Sequence, residues 1–597
     1  MYIRKTKTGA SSNKNLYTHR VVESFRTSEN KVQQRTLLNL GANYCIPQEW
    51  WKLLCARIEE ILNGQTTLIE TNEEIESEAQ RVATLIIKKH GTDITPKNPN
   101  EPIYEEIDIT NIEHQEVKSV GAEQLAYAAS NKLNITSILS QCGFSEKDIN
   151  TALGTIIGRL VYPGSEVSTA RNLRFNSALD EIIGGDFSTM NKNKLYNISD
   201  ELLKHKKFIE QELYNKEKEL FGLKEIVTLY DLTNTYFEGS ATDIEYAAHG
   251  RSKEKRTDRP IVTLALVLDG SGFPKKSRIY AGNVSEGKTL EAMISDLETK
   301  DAIVVMDAGI ATEENLNWLA TNDYKYLVVS RKRQQDIPNV EGVVVKKDPK
   351  AKVTTFLLKH DQESELYCHS EAMEHKSNAL SSKYVERFTD GLLKLQKGLS
   401  KKGCTKKYDK IQQKIGRLKE KYSKVSYQFN IDVQQDKQKN IATKITWTHD
   451  LNKQNKQPGI YCIRTNQTGL SNQEIWDTYR MLNSVESAFR HLKTDLGLRP
   501  IYHRTDKRVQ GHIFISVLAY HLLHTIRHQL KAKGIDHSWS TILEIMKTHY
   551  RITTICKNRN NNSIYIRKSM RPHKEQLELY KACNFLSKSS PTKIIKY

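Results

Sequence analysis

The spacing of apolar positions changes period several times along this chain, and each change marks an element boundary. In residues 1–40 apolar and polar positions alternate as strands do: Tyr17, His19, Val21, Glu23 and Phe25 share one face, Ser28-Glu29-Asn30 reads as a turn, and a second run follows over 32–40. Helical spacing takes over at 48–62 and returns up to Lys89. Residues 91–105, with Pro96, Pro99 and Pro102, read as a linker. The repeat is helical from 122 to 222, where Ser145-Glu146-Lys147-Asp148 opens a helix to Leu160 in the manner of a capping box. Pro163-Gly164 breaks the chain, and further helices are predicted over 165–175, 192–205 and 208–220. Beyond Lys224 strands are predicted at 226–230, 260–268, 275–281, 303–306 and 324–330, with helices at 289–298 and 313–321. A long amphipathic helix follows at 472–493 and a strongly apolar one at 513–526.

Between the last strand and the amphipathic helix about 140 residues intervene. Val385, Phe388, Leu392, Leu395 and Leu399 form one heptad stripe. Tyr408, Ile411, Ile415, Leu418, Tyr422 and Val425 form a second after the Lys401-Lys402-Gly403 break. Two such stripes joined by a short loop predict an antiparallel helical hairpin, here flanked by strand-like pieces at 342–347, 353–359 and 459–464. The chain thus divides into an N-terminal strand and helix region with linker (1–115), a helical domain (116–223), the first part of an α/β core (224–331), an insertion (332–470), the second part of the core (471–535) and a basic C-terminal region (536–597). A length of 597 residues exceeds what one hydrophobic core supports.

Charge narrows the partners. Lys plus Arg number 90 against 71 Asp plus Glu, a formal charge of +19 that favours a polyanion. The plain alternative is a basic surface with no partner. From Lys394 to Lys424 twelve Lys or Arg face only Asp409 and Glu420, an excess that favours phosphate contact over a merely solvated face. From Arg551 to Lys596 eleven face only Glu575 and Glu578, which predicts a loosely structured basic tail binding DNA or another subunit. The helical domain reads equally well as a reader of DNA ends or as a scaffold bundle. The eight cysteines are scattered without a C-x-x-C pair, which points to reduced thiols in the cytosol and away from a zinc ribbon. The opening Met1-Tyr2-Ile3-Arg4-Lys5 lacks the apolar stretch of a signal peptide, and the 513–526 helix carries His521 and His524, so a core helix is expected there and not a membrane span.

Three acids carry the chemistry. Asp231 ends the apolar run 226–230, Asp307 ends 303–306, and Glu486 shares a helical stripe with Tyr479, Arg490 and Lys493. Two carboxylates at strand ends and one on a helix can converge on a pair of divalent cations. The bland reading of Glu486 and Arg490 is an ordinary i,i+4 surface pair. Asp301, Asp477 and Asp495 are rival acids placed off the stripe or before the strand, and Asp258 reads as a supporting charge. His521, His524 and His528 share a helical face but are expected to be packed and not to bind zinc.

The segments Tyr230-Asp231-Leu232-Thr233-Asn234-Thr235-Tyr236-Phe237-Glu238-Gly239, Gly282-Asn283-Val284-Ser285-Glu286, Val304-Val305-Met306-Asp307-Ala308-Gly309, Tyr479 through Lys493, and Leu498-Arg499-Pro500-Ile501-Tyr502-His503-Arg504 with Gly511-His512-Ile513 resemble, in order and spacing, an insertion-sequence transposase of the DDE superfamily. The resemblance is to the insertion-sequence-four-like branch with a tyrosine–arginine–glutamate–lysine signature. It implies an RNase H-like core interrupted by the β-plus-helical-hairpin insertion. It further implies two Mg²⁺ ions, with Mn²⁺ as a substitute, held by Asp231, Asp307 and Glu486. Those residues would cut the element's terminal inverted repeats and join them to target DNA. Tyr479, Arg490, Lys493, His503 and Arg504 would contact DNA, Trp447 or Tyr461 would receive a flipped base, and a homodimer would hold paired ends in a prokaryotic cytosol or nucleoid. One position departs from the signature: Leu482 stands where arginine is expected, so that either Arg480 or Arg490 makes the phosphate contact instead or the contact is absent. The rival readings are a non-catalytic DNA-binding descendant of a transposase, and an RNase H-like nuclease that hydrolyses without strand transfer.

Overall fold

The structure is a computed structural model that describes residues 1–11, 14–26, 32–42, 44–63, 72–96, 101–250, 258–295, 301–330, 337–348, 351–453, 458–585 and 592–597. The expected turn at 28–30, Pro99 of the linker and the end of the 289–298 helix lie outside these residues.

A mixed nine-stranded sheet organises the middle of the chain. Its spatial order is Val343–Lys346, Val353–Lys359, Ser364–Ser370, Ile460–Thr465, Lys325–Val329, Ile303–Met306, Val227–Tyr236, Ile261–Asp269 and Pro274–Ala281. Val227–Tyr236 is the hub: it runs antiparallel to Ile261–Asp269 and parallel to Ile303–Met306, which in turn runs parallel to Lys325–Val329. Strand alternation gives the sheet two different faces. Val227, Leu229, Ile303 and Val305 enter the main core with Val485, Ala488, Phe489 and Leu492 of the helix Leu482–Thr494. Tyr230, Leu232, Val304 and Met306 enter a smaller core with Leu290, Met293, Leu316 and Leu319 on the other side.

Two expectations need correcting here. The hub strand does not stop at Tyr230 but continues to Tyr236, so Asp231 is a mid-strand residue. Thr233, Asn234 and Thr235 read as polar, yet all three are buried against a partner strand that is buried along its whole length. The strand-like pieces expected to flank the insertion are rungs of the main sheet itself. The separate unit begins only at Glu371, with helices Glu371–Ser400, Tyr408–Lys421 and Ser423–Ser426 and the hairpin Phe429–Asp436 with Ile441–His449. That unit has its own core of Phe388, Leu392, Ile411, Ile415, Val425, Phe429, Ala442 and Ile445. The strands on either side of it, Ser364–Ser370 and Ile460–Thr465, are antiparallel neighbours, and the Ser370 N–H donates to the Gly459 carbonyl at 3.1 Å.

The helix Asp506–Ala532 joins the sheet to the helical domain. It packs on Glu146–Val161, Lys192–Lys204 and Gly121–Lys132. Gly511 permits the closest approach, because a Cβ there would collide with Ser199 Oγ. Among the described residues it is the one helix long and apolar enough to cross a membrane, and 89% of that window is buried inside the protein. Its His521 Nδ1 meets Glu217 Oε1 at 2.7 Å, with both side chains fully buried.

The C-terminal region is not a loose tail. Tyr550–Lys557, Ser563–Ser569 and Lys593–Lys596 form a five-stranded sheet with Thr92–Asp93 and Glu113–Ser119. Its basic residues are partly neutralised within the fold: Arg551 Nε and Arg567 Nη2 both reach Glu181, at 2.6 and 2.7 Å. Ile555 and Tyr565 enter the core beneath the N-terminal sheet of Tyr2–Ser11, Lys14–Arg26 and Val32–Gly41, together with helices Trp51–Leu62 and Glu73–His90. Both ends of the chain therefore share one core.

Candidate active site

Asp231 stands on the hub strand and Asp307 follows directly on the end of its parallel neighbour, Ile303–Met306. The register runs from Val227↔Ile303 to Tyr230↔Met306, so the next rung sets Asp231 beside Asp307. By alternation both fall on the side of Leu229 and Val305, the side that the helix Leu482–Thr494 covers. Each anchors its own turn of backbone: Asp231 Oδ1 accepts from Leu232 N and Asp307 Oδ1 from Ala308 N, both at 2.7 Å. Asp231 is half-buried, while Asp307 and Glu486 are exposed.

Tyr479 connects the strand pair to Glu486. Its hydroxyl pKa is pushed up to about 12, first by burial and then by the negative charges of Asp307 and Glu486 among its neighbours. The expected single helix at 472–493 is two. Tyr479 belongs to Asn472–Arg480, opened by a Ser471–Glu474 capping box, and Glu486, Arg490 and Lys493 belong to Leu482–Thr494. Between them Met481 keeps helical dihedrals (φ −61°, ψ −20°) while the bonds tighten to Met481 N–Thr478 O at 3.2 Å and Ser484 N–Met481 O at 2.8 Å. Leu482 is half-buried against the main core, and Arg480 lies over the Trp476 ring at 4.7 Å. Arg490 is exposed, with Nη2 3.4 Å from Ser487 Oγ, and Arg504 is exposed as well.

A fourth carboxylate borders the pair. At Gly309 a Cβ would meet Glu286 Oε2, so the Glu286 carboxylate lies directly against this turn. The buried Tyr230 hydroxyl, 2.6 Å from Thr289 Oγ1, has its pKa raised mainly by burial and further by Asp231 and Glu286. Thr289 Oγ1 in turn donates to the Glu286 carbonyl at 2.6 Å. Periodicity gives Glu286 no role, and only its place in the Gly282–Glu286 motif marks it.

Asp231, Asp307 and Glu486 offer oxygen donors alone, the hard set that suits Mg²⁺ or Mn²⁺. They are spaced more widely than Glu166, His503 and His512, whose ligand atoms alone among the described residues close to within 4.8 Å as a group. Three like charges repel, and a divalent cation is what removes the cost of drawing them together.

The Glu166–His503–His512 group corrects one expectation. His503 does not face an open path: its side chain is only 9% exposed, and its Nε2 is 3.3 Å from Glu166 Oε1. Arg159 Nη2 donates toward His512 Nδ1 at 3.2 Å and lies 3.6 Å from the same Glu166 oxygen, so a guanidinium supplies the positive charge of this cluster. Burial raises the Glu166 pKa, but His503, His512 and Arg159 outweigh it and hold it at about 2 against an ordinary 4.5. A depressed carboxyl contributes stability that is present above 4.5 and lost as pH falls from there toward about 2. Glu166→Gln is expected to flatten the acid limb of the stability curve in that window, read by urea midpoints. Parallel curves for the two proteins would refute the linkage.

The remaining candidates have separate partners. His524 Nε2 lies 3.0 Å from the Ser271 carbonyl and His528 packs on Phe221, so the three helical histidines form no common site. Asp495 is 2.5 Å from His491 Nδ1, whose Nε2 meets Arg527 at 2.6 Å, and Asp477 accepts from Gln473 at 2.8 Å. Asp301 pairs with Lys325 at 3.6 Å and Asp258 with Arg259 at 3.5 Å. Of the two aromatic candidates, Tyr461 stands 5.8 Å from the Tyr479 ring and accepts from Trp476 Nε1 at 3.2 Å. Trp447 packs into the insertion's own core.

A mixed nine-stranded sheet, with Asp231 on its hub strand, Asp307 directly after the neighbouring parallel strand and Glu486 on the helix packed over that side, defines an α/β protein with three carboxylates on these elements. Residues 222–522, just over half of the chain, match the family described as the transposase DDE domain, and the protein belongs to that family. Among solved structures the chain is similar to the piggyBac transposase synaptic complex with hairpin DNA, determined by cryo-EM. The likeness covers 74% of this chain and 82% of that one, with 8% sequence identity and a TM-score of 0.30. No curated protein matches the chain.

Proposed function

We propose that this protein is a working transposase of an insertion sequence, of the insertion-sequence-four-like branch, which cuts the terminal inverted repeats of its element and joins the freed 3′ ends to target DNA. Asp231 and Asp307, one residue beyond the last paired rung of their strands and on the side packed by the helix that carries Glu486, carry this reading. The strand order around the hub, with an antiparallel meander on one side and parallel strands on the other, supports an RNase H-like core.

Asp231, Asp307 and Glu486 would hold two Mg²⁺ ions, which when bound activate the attacking oxygen and stabilise the leaving one. The chain's own groups divide the remaining work. Arg490 and Arg504 present exposed cations to backbone phosphates, and Lys493 lies on the same helix as Glu486. With Leu482 turned into the core, Arg490 takes the phosphate contact of the missing signature arginine. Tyr479 sets a neutral hydroxyl beside the acids, and Tyr461 is the better-placed partner for an extruded base, whose unstacking costs a few kcal/mol. Two copies act on paired ends in the cytosol.

The deciding experiment incubates purified protein and Mg²⁺ with DNA carrying the element's terminal repeats. End-specific nicks and joined products are expected. Nicks without joining would favour the nuclease reading, and binding without any cleavage in Mg²⁺ or Mn²⁺ would favour the non-catalytic one.

A further inference from the structure

The insertion carries cations that the fold leaves without counter-charges. On the helix Lys206–Phe221 and the one before it, by contrast, three lysines are matched locally: Lys204 with Glu201, Lys216 with Glu219 and Lys218 with Glu225, each at 2.7 Å. Of the twelve Lys and Arg between Lys394 and Lys424, none is in an ion pair among the described residues. On the helix Tyr408–Lys421 four of them, Lys410, Lys414, Arg417 and Lys421, are all exposed and lie four, three and four residues apart. At 100° per residue they fall within an arc of about 60°, a straight stripe about 16 Å long with a cation every 5 or 6 Å or so. Ile411, Ile415 and the half-buried Leu418 turn away from it into the insertion's core.

We infer that this stripe is a docking surface for the sugar–phosphate backbone of duplex DNA, read without regard to sequence. The inference rests on the transposase reading for the identity of the polyanion and adds where, outside the carboxylate site, the DNA is held. Single-stranded nucleic acid is the poorer fit, because such surfaces interleave cations with stacking aromatics. Here Tyr408 and Tyr422 are half-buried in the hairpin core, and although Lys421 at the end of the stripe lies 5.5 Å from the Tyr422 ring, no aromatic stands between its cations. Three lysines and one arginine at even spacing act as point charges along a strand and not as readers of base edges. Leaving several like charges unpaired on one helical face destabilises that helix slightly, a cost that phosphate binding reverses.

The test uses the full chain and a fluorescent random-sequence duplex in EDTA, so that no cleavage intervenes, with affinity followed across salt concentration. Lys410→Gln, Lys414→Gln, Arg417→Gln and Lys421→Gln are combined; all four positions are exposed, and Gln is close to Lys and Arg in helix propensity. Each phosphate contact contributes about 0.9 to the slope of log K against log salt, so the slope is expected to become shallower by about 3 to 4. A slope that changes by less than about 1 overturns the inference. Should the combined variant melt abnormally, a Lys410→Arg, Lys414→Arg, Lys421→Arg protein, which keeps the charge, must show the wild-type slope, and a failure to do so also overturns it. A single-stranded RNA held with a steeper slope than the duplex overturns the choice of DNA. The Asp231→Asn protein separates the two readings: if it binds the duplex with the wild-type slope, docking stands whether or not end cleavage is ever seen.

Discussion

Asp231→Asn is expected to lower end-specific DNA cleavage by about a thousandfold or more, equivalent to roughly 4 kcal/mol of transition-state stabilisation, while DNA affinity stays within a factor of about three. The substitution is nearly isosteric. Its amide oxygen can still accept from Leu232 N as the aspartate does at 2.7 Å, so the hub strand keeps its local geometry. What is lost is one negative charge between two β-strands, and with it a hard anionic ligand. Asp307→Asn, which can keep the Ala308 N contact, and Glu486→Gln, on an exposed helical surface, should act alike. Single-turnover cleavage of labelled terminal-repeat DNA reads the effect, and any of the three proteins cutting at more than about a tenth of the wild-type rate would strike that residue from the site.

The second large effect lies far from the acids. Glu217→Ala should destabilise the fold by about 3–5 kcal/mol, because it leaves His521 fully buried without its carboxylate partner. Both side chains are fully buried, and the 2.7 Å contact is the pairing each relies on. The other polar atom of each, Glu217 Oε2 and His521 Nε2, has no hydrogen-bond partner among the described residues. Burial raises the Glu217 pKa and the neighbouring His521 opposes that rise. Glu217→Gln retains an acceptor for His521 and should cost markedly less than alanine. Urea midpoints, with hydrogen exchange along Asp506–Ala532, measure both, and a loss below about 1 kcal/mol for Glu217→Ala would show that the pair is not a structural tie.

Much of the fold is legible in the order of residues wherever one period dominates. The strand at Ile303–Met306 and the helix at Glu313–Thr321 fall at their expected bounds, and the heptad stripes of the hairpin pack against each other as read. Legibility fails where tertiary context outweighs local pattern. Thr233 to Thr235 look like the end of a strand because their polarity is visible and their buried partner strand is not. The C-terminal strands look like a charged tail because the acid that neutralises Arg551 and Arg567, Glu181, lies some 370 residues earlier. His503 looks like a surface contact for the same reason, since Glu166 reaches it from another domain. At the candidate site the two aspartates and Glu486 are visible as types at spacings, whereas Glu286 stands in the sequence only as the end of the Gly282–Glu286 motif, and its place against Gly309 comes from the fold.

The pairing of Ser364–Ser370 with Ile460–Thr465 has a consequence for how such a protein can change over time. Topologically, everything from Glu371 to the Gly459 turn is the tip of one β-hairpin, however large it has grown. A tip can lengthen, shrink or exchange its charges without breaking a single rung of the sheet that carries Asp231 and Asp307. The central strands and the charged excursion can therefore drift independently, one under the constraint of the main buried core and the other only under that of its own.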